Sequence, residues 1–263
     1  MSPVPVLAYH HVNDHRGDMV TVVPEVFEKQ MRYLRDAGYR TLRSDELLSY
    51  INGELSLDEK AVMITFDDGW LDNYVHAFPI LRKYNINATV FITTDWIEQV
   101  SNNAPDLNER IPDHKESDSL VKRGEGDKVV LNWELAREMA ESGLVEFHSH
   151  TKSHRKCHNL SAEELEEELE GSRKIMEERL GRPCTALCWP FGRNNDLSIK
   201  IARENGYSLL FTTRHGVVEK GSDPYAINRI AVKDSAFWFR KSMIIYTNNI
   251  LSNMYLGLKR KKI

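Results

Sequence analysis

AVMITFDDG, the sequence of residues 61–69, joins an apolar run to two adjacent carboxylates. The run over 61–66 predicts a buried strand, because apolar residues dominate it and no polar face interrupts it. Asp67 and Asp68 then stand at the carboxyl end of that strand. Such a pair can divide two tasks, since one carboxylate can bind a cation while the other stays free as a base.

The rest of the chain alternates between the apolar period of a strand and that of a helix. Strands are predicted at residues 4–9, 61–66, 88–93, 144–147, 185–189 and 208–212. Helices are predicted at residues 24–37, 45–51, 71–84, 133–142, 161–180 and 197–204. This alternation gives parallel βαβ units, and about seven of them favour a closed or nearly closed α/β barrel over an open sheet. Catalytic groups in such barrels lie at the carboxyl ends of the strands.

Length and composition predict a single domain that spans residues 1–263. A chain of 263 residues with 41% hydrophobic content can bury one sizeable core. Residues 101–127 are polar and include Pro105, Pro112 and Gly124, which indicates a long insertion. Insertions of this length are typical of lids and substrate walls.

Charge, cysteine content and the N-terminal sequence bear on partners and location. The formal net charge of −4, with both signs mixed, gives no indication of a nucleic-acid partner. Three cysteines are an odd number without a dense framework, which favours free thiols in a reducing compartment. The N-terminus lacks the features of a secretory signal, and no stretch approaches the roughly 20 apolar residues that span a bilayer. We therefore expect a soluble, cytoplasmic protein, and we expect it to act as a monomer.

Histidines follow the predicted strand at 144–147. His150 and His154, together with Asp68, provide two imidazoles and one carboxylate, a common ligand set for catalytic zinc. A divalent ion polarises a carbonyl group, and Asp67 is placed to remove a proton from the attacking water. Taken singly, an Asp-Asp-Gly sequence also fits a turn, and a histidine-rich loop also fits a polar surface.

Two of these motifs together resemble a known family. TFDDG at residues 65–69 and SHTKSH at residues 149–154 are similar to the first two motifs of the polysaccharide deacetylases (NodB homology, carbohydrate esterase family 4). The resemblance extends over about residues 6–232. It implies a deformed (β/α) barrel of the NodB type and metal-dependent removal of acyl groups from amino sugars. It also implies a catalytic base and three metal ligands, which correspond here to Asp67 and to Asp68, His150 and His154.

The sequence Trp189-Pro190-Phe191-Gly192 resembles the third motif of that family. The resemblance implies that the backbone N–H of Phe191 helps to hold the oxyanion of the reaction. The rings of Trp189, Trp133 and Trp96 are candidates for stacking on sugar rings, although a core position is an equal alternative for Trp133.

The chain departs from the family pattern at two places. Cys188 stands where many members carry an arginine that contacts the catalytic base, so Asp67 is expected to lack its usual arginine partner. Arg193 is an alternative partner. The Leu-x-His sequence near the C-terminus, whose histidine serves as general acid in the family, is also absent from residues 229–233.

A different histidine must then protonate the leaving amine. The Tyr-His sequence that ends the first predicted strand resembles the branch that deacetylates β-1,6-linked poly-N-acetylglucosamine, and that branch has its acidic histidine at the N-terminus. We therefore predict His10 as general acid, with a hydrogen-bonding role at the barrel mouth as the alternative. His11 is expected to point away, and His148 is expected on the opposite side of the strand end from His150.

These inferences predict a metal-dependent N-deacetylase that acts on an N-acetylated amino-sugar glycan or glycolipid, such as a cell-surface polysaccharide or its lipid-linked precursor. The cofactor is expected to be one divalent ion, zinc first, with cobalt, nickel or manganese as alternatives. Two other functions fit the same site. One is glycan binding on a catalytically decayed scaffold, and the other is hydrolysis of O-acetyl esters.

The C-terminal segment predicts an amphipathic helix at about 236–262 with a basic end at Lys259 to Lys262. A terminal helix packed on the barrel is one interpretation. Attachment to anionic lipid is the other, which would place the protein peripherally at the inner membrane face.

Overall fold

The computed structural model describes residues 2–102, 105–107 and 109–260, without the side chains of residues 259 and 260. Its strands are β1 (Val6–Tyr9), β2 (His11–Val12), β3 (Thr21–Val22), β4 (Arg40–Thr41), β5 (Ala61–Phe66), β6 (Ala88–Ile92), β7 (Val145–Ser149), β8 (Ala186–Cys188), β9 (Leu209–His215) and β10 (Ile227–Ala231). Seven of them close a barrel in the order β1, β5, β6, β7, β8, β9 and β10, and every pairing is parallel. The predicted barrel of about seven units is confirmed.

Helices follow most of the strands. They are α1 (Pro24–Asp36), α2 (Ser44–Asn52), α3 (Phe78–Tyr84), α4 (Thr94–Val100), α5 (His114–Lys122), α6 (Trp133–Glu141), α7 (Ala162–Leu180), α8 (Asp196–Glu204), α9 (Ala236–Tyr246) and α10 (Asn249–Arg260). A π-helical segment, Asn73–Ala77, precedes α3. Ser161 and Glu164 form the predicted capping box of α7, and the Asn132 side chain caps α6.

Alternate strand residues fill two different layers. One set points into the barrel and forms a small apolar core that includes Val6, Met63, Phe91 and Phe211. The other set packs against the helices in a larger core. Polar residues replace apolar ones towards the carboxyl ends of the strands, and the site lies there.

The insertion contains structure that the sequence pattern did not predict. Helix α5 forms within it and is capped by the Asp113 side chain, which accepts a hydrogen bond from the Glu116 N–H. Ile111 and Leu120 are buried in the larger core. This part of the insertion is therefore a packed element beside the barrel.

The predicted C-terminal helix is instead two helices, α9 and α10. The break falls at Thr247 and Asn248, where the Asn248 side chain accepts a hydrogen bond from the Leu251 N–H and so starts α10. Residues 261–262 of the prediction lie outside the described residues. Within the described chain, no helix has both the length and the apolar character needed to cross a bilayer.

Candidate active site

The carboxyl ends of the strands surround a cavity of about 600 Å³. Asp67 and Asp68 follow β5 directly, and His150 follows β7. The cavity lining includes eight residues that the sequence predicted: His10, Asp67, Asp68, Trp96, His150, His154, Trp189 and Phe191.

Three of these side chains converge as a metal-binding group. The Asp68 Oδ1 atom lies 3.2 Å from His150 Nε2 and 3.3 Å from His154 Nε2. His150 Nδ1 lies 2.8 Å from the Cys188 carbonyl oxygen, to which it donates as Nδ1–H, and this leaves the Nε2 lone pair directed at the group. The three ligand atoms thus face one point, in the donor set that suits a divalent ion such as zinc.

The Asp68 carboxylate is held in its charged form. Burial raises its pKa, but the adjacent imidazoles of His150 and His154 outweigh burial and keep the pKa well below its usual range. Trp70 Nε1 donates to the second oxygen, Asp68 Oδ2, at 2.9 Å. An ionised and oriented carboxylate is the form that binds a cation.

A second group of possible ligands comprises Asp67, His150 and Cys188. It is the weaker candidate for two reasons. Burial raises the pKa of the Cys188 thiol, which disfavours the thiolate that would bind metal. Both oxygens of Asp67 already accept hydrogen bonds from Arg229.

The pair of Asp67 and Arg229 corrects one sequence prediction. Arg229 Nη1 donates to Asp67 Oδ1 at 2.7 Å, and Nη2 donates to Oδ2 at 2.8 Å. The expectation that Asp67 lacks an arginine partner was therefore wrong, and the alternative partner Arg193 is exposed. Burial raises the pKa of Asp67, but Arg229 outweighs burial and lowers it to about 2.

The sequence pattern did not indicate Arg229 as the partner of Asp67, because it did not predict the strand on which Arg229 lies. It lies on β10, which contains Asn228 and Arg229 among its five residues and so lacks a continuous apolar run. One signal was available, since six strands were predicted for a barrel of about seven units and a further strand was needed for closure. The arginine also donates to the Thr212 carbonyl and to Thr65 Oγ1, which fixes it inside the barrel.

His10 lies beside Asp67 in the cavity. Its Nε2 atom is 3.8 Å from Asp67 Oδ2. Burial lowers the pKa of His10, although Asp67 opposes the shift, so the imidazolium is a stronger acid than free histidine. His11 points away from this group, as expected, and its Nδ1 lies 2.6 Å from Asp72 Oδ2.

The turn after β8 places Phe191 at the cavity. Its side chain is 54% exposed and its φ is 58°, a conformation that a bulky residue rarely adopts. Gly192 is required next to it, because a Cβ there would lie 2.1 Å from Thr213 Oγ1. Pro190 is buried within the turn.

The tryptophans differ in their access to a ligand. Trp189 borders the cavity but is fully buried, so its stacking role stays a prediction. Trp133 is also buried, and its Nε1 donates a hydrogen bond to Glu98. It therefore has the core position that was the alternative to stacking on a sugar. Trp96 does line the cavity, and its ring centroid lies 5.0 Å from that of His154.

Strained backbone is concentrated at this site. Five residues other than glycine have positive φ in the described chain, and four of them are Asp68, Thr151, His154 and Phe191. Backbone strain persists only where the surroundings enforce it, and it clusters at functional sites. The local geometry therefore supports the same set of residues as the chemistry.

His148 lies on the same side of β7 as His150, so the prediction of opposite sides was wrong. Ser149 between them points to α7, where its Oγ lies 2.7 Å from Ser172 Oγ, and adjacent residues of a strand point to opposite faces. His148 does not reach the cavity. Its Nε2 lies 3.0 Å from Ser44 Oγ and 3.8 Å from Glu146 Oε2 deeper in the barrel.

A parallel barrel with a metal-type ligand group and a free carboxylate at its strand ends is the architecture of a barrel hydrolase. Comparison with known families makes the class specific, because residues 55–210 match the family model for polysaccharide deacetylase. This match covers more than half of the chain. The chain belongs to the polysaccharide deacetylase family and is a carbohydrate deacetylase, a hydrolase of carbon–nitrogen bonds.

Similar proteins support this assignment. YxkH of Bacillus subtilis (strain 168) is 30% identical over 229 residues, which cover 87% of this chain and 71% of that protein. The poly-beta-1,6-N-acetyl-D-glucosamine N-deacetylase of Staphylococcus epidermidis is 30% identical over 227 residues, or 82% of this chain and 70% of that protein.

Solved structures show the same fold. The Streptococcus pyogenes deacetylase PplD in complex with acetate has a TM-score of 0.78 at 25% identity, covering 92% of this chain and 98% of its own. IcaB from Ammonifex degensii has a TM-score of 0.75 at 25% identity, covering 94% of this chain and 98% of its own.

Proposed function

We propose that this chain removes acetyl groups from N-acetylated amino sugars of a glycan and needs one divalent metal ion to do so. One observation carries the proposal: a free carboxylate, Asp67, and an imidazole, His10, lie in one cavity with the group formed by Asp68, His150 and His154. The name of the Staphylococcus epidermidis relative gives the class of glycan, a polymer of N-acetylglucosamine.

The residues of the chain have distinct roles in this proposal. A divalent ion bound by Asp68, His150 and His154 would polarise the acetamide carbonyl and make water more acidic. Asp67 accepts the proton of the attacking water, and Arg229 keeps that carboxylate ionised and oriented. His10 then donates a proton to the leaving nitrogen.

The oxyanion that develops during attack needs hydrogen-bond donors. The backbone N–H of Phe191 is our candidate, because the strained turn holds this residue at the cavity. Donors fixed before the reaction stabilise the transition state without reorganisation.

Zinc is the proposed ion. Two imidazoles and one carboxylate form a common catalytic zinc set, and cobalt, nickel and manganese accept the same ligands. The substrate is proposed to be a cell-surface polysaccharide or its lipid-linked precursor. The alternative of glycan binding without catalysis is weakened. It was suggested in part by the missing arginine partner of Asp67, and Arg229 supplies that partner.

The test compares acetate release from β-1,6-linked N-acetylglucosamine oligomers with release from an O-acetylated sugar of similar size. We expect faster release from the N-acetylated oligomer. Release from the O-acetylated sugar alone would replace the proposal with the esterase alternative, and binding of oligomers without any release would replace it with glycan binding.

A further inference from the structure

Helix α5 presents one face to the active-site cavity. His114, Asp118, Val121 and Lys122 all line the cavity, and their spacing of four, seven and eight residues places them on the same side of a helix. The insertion therefore forms a largely polar wall of the cavity that holds the catalytic group. A polar wall suits a sugar, which offers hydroxyl and acetamido oxygens.

A chain of buried polar contacts fixes His114 at the start of that wall. His11 Nδ1 lies 2.6 Å from Asp72 Oδ2, and His11 Nε2 lies 3.1 Å from His114 Nδ1. His11 and Asp72 are almost fully buried. The His11 ring also stacks on Trp70, with centroids 4.7 Å apart.

These contacts determine which nitrogen of His114 faces a ligand. Burial lowers the pKa of His11, but Asp72 outweighs burial and raises it, which favours the form with both ring nitrogens protonated. His11 then donates to Asp72 and to His114 Nδ1. A His114 ring that accepts this hydrogen bond at Nδ1 carries its own proton on Nε2, and that nitrogen has no hydrogen bond to the described residues.

The chain just before α5 is also attached to the barrel. The Asn13 side chain donates to the Pro112 carbonyl at 3.1 Å, and His15 Nε2 lies 3.1 Å from the Ile111 carbonyl oxygen. Loop residues that follow β2 thus hold the chain that enters α5, while His11 contacts His114, the first residue of the helix. A wall attached at its base can keep a ligand-binding group in one place.

We propose that His114 is a substrate-binding residue, whose Nε2–H donates to a hydroxyl or acetamido oxygen of the glycan and which the buried His11–Asp72 pair holds in position. The proposal rests on the glycan deacetylase function and assigns a specific part of the insertion to substrate recognition. His114 takes no part in the chemical step.

The test measures binding apart from catalysis. An oligomer of β-1,6-linked N-acetylglucosamine is titrated by calorimetry into protein carrying Asp67→Asn, with and without His114→Ala. Loss of one hydrogen bond is expected to weaken binding about three- to tenfold. His114→Gln retains an N–H donor and is expected to bind better than His114→Ala. Lys115→Ala, on the exposed side of α5, is the matched control.

Further measurements separate this role from a merely structural one. In the active enzyme, His114→Ala should raise KM more than it lowers kcat, and His11→Gln should weaken oligomer binding in the same direction. Equal binding by the His114→Ala and control proteins would overturn the proposal. If the wild-type chain binds the oligomer through His114 but releases no acetate, the proposed reaction fails while the binding role stands.

A second, independent observation concerns the C-terminal helices. The α9 side chains Phe239, Met243 and Tyr246 are buried, so α9 packs on the body of the protein. Large apolar side chains nevertheless remain exposed on both helices. They are Phe237 at 81%, Ile244 at 53%, Ile250 at 72%, Leu251 at 41%, Met254 at 62%, Tyr255 at 37% and Leu258 at 64%.

We call these exposed apolar side chains of α9 and α10 the tail surface. The charge of the surrounding segment favours an anionic partner for it. Residues 235–263 include six lysines and arginines and no aspartate or glutamate. Leu251, Met254, Tyr255 and Leu258 recur with helical spacing, so α10 has an apolar stripe. An apolar stripe in a purely basic segment fits the interface of an anionic bilayer.

We propose that the tail surface binds reversibly to anionic lipid. The test is flotation of the full chain with vesicles of phosphatidylcholine mixed with phosphatidylglycerol, compared with phosphatidylcholine alone. Binding is expected on the mixed vesicles, and Lys241→Gln should weaken it roughly fivefold. The pair Met254→Gln and Leu258→Gln should abolish it, whereas the pair Leu197→Gln and Lys200→Gln on α8 is the control.

Two results would overturn the lipid proposal. One is equal flotation of the wild-type and tail variants. The other is a dimer in light scattering that the substitutions at Met254 and Leu258 convert to monomer, because a second copy of the chain would then cover the surface. The predicted cytoplasmic location stays a prediction.

Discussion

Arg229 binds both carboxylate oxygens of Asp67 inside the barrel, through hydrogen bonds of 2.7 Å and 2.8 Å. The two residues are 162 positions apart in sequence; Asp67 directly follows β5, and Arg229 lies on β10. Two parallel bonds from a planar guanidinium fix the direction of the carboxylate as well as its charge. The proposed base therefore has one orientation in the cavity.

Removing Arg229 should lower the stability of the folded protein. Arg229→Met leaves the Asp67 charge buried without a partner, and this is expected to cost about 3–5 kcal/mol of unfolding free energy. Urea denaturation provides the measurement, with Arg193→Met as the exposed control. Equal midpoints for the two variants would contradict this prediction.

Replacing the base should separate chemistry from metal binding. Asp67→Asn is expected to lower kcat by about 10²–10⁴-fold, because the side chain no longer accepts a proton. Metal content should remain that of the wild type, since the proposed ligands are intact. Acetate release and metal analysis on the same preparation check this, and a variant that retains wild-type kcat would remove Asp67 from the mechanism.

The proposed acid can be tested in a similar way. His10→Gln is expected to lower kcat by about 10²-fold or more for an amide substrate, because the leaving amine needs a proton. Hydrolysis of a small aryl acetate, whose leaving group needs less help, should fall much less. His76→Gln, on the segment before α3, is the control. Equal losses on both substrates would favour the hydrogen-bonding alternative for His10.

A largely buried acid, Glu146, predicts a pH dependence of stability. Burial raises the pKa of Glu146, but its contacts with His148 outweigh burial and lower it to about 2, compared with 4.5 in the unfolded chain. Stability from this group is therefore complete above about pH 4.5 and is lost as the pH falls towards 2. The full effect is roughly 3 kcal/mol.

The measurement is the unfolding free energy of the wild type and Glu146→Gln at a series of acidic pH values. The difference between the two proteins should shrink as the pH falls below about 4.5. Glu134→Gln, at an exposed position on α6, is the control. A difference that stays constant over this range would contradict the assignment.

Local motifs made most of the site predictable. Asp67 and Asp68 adjoin a strongly apolar strand, and His150 and His154 follow another strand, so barrel geometry alone brings them to one end. The order of the strands was predictable for the same reason, because alternating elements give parallel neighbours.

Arg229 and the tail show where the sequence pattern was insufficient. β10 carries Arg229, whose guanidinium bonds to partners that are distant in sequence, Asp67, Thr65 and Thr212. The contact between His11 and His114 also depends on how an insertion folds back over the barrel. Such contacts arise from tertiary packing, which apolar periodicity does not encode.

The most direct measurement is zinc titration into metal-stripped protein while acetate release from N-acetylglucosamine oligomers is recorded, for the wild type and for Asp68→Ala. We predict that activity rises to a plateau at one equivalent of zinc in the wild type and stays at background in the variant. Full activity in the metal-stripped protein, or an equal response in the variant, would contradict the account.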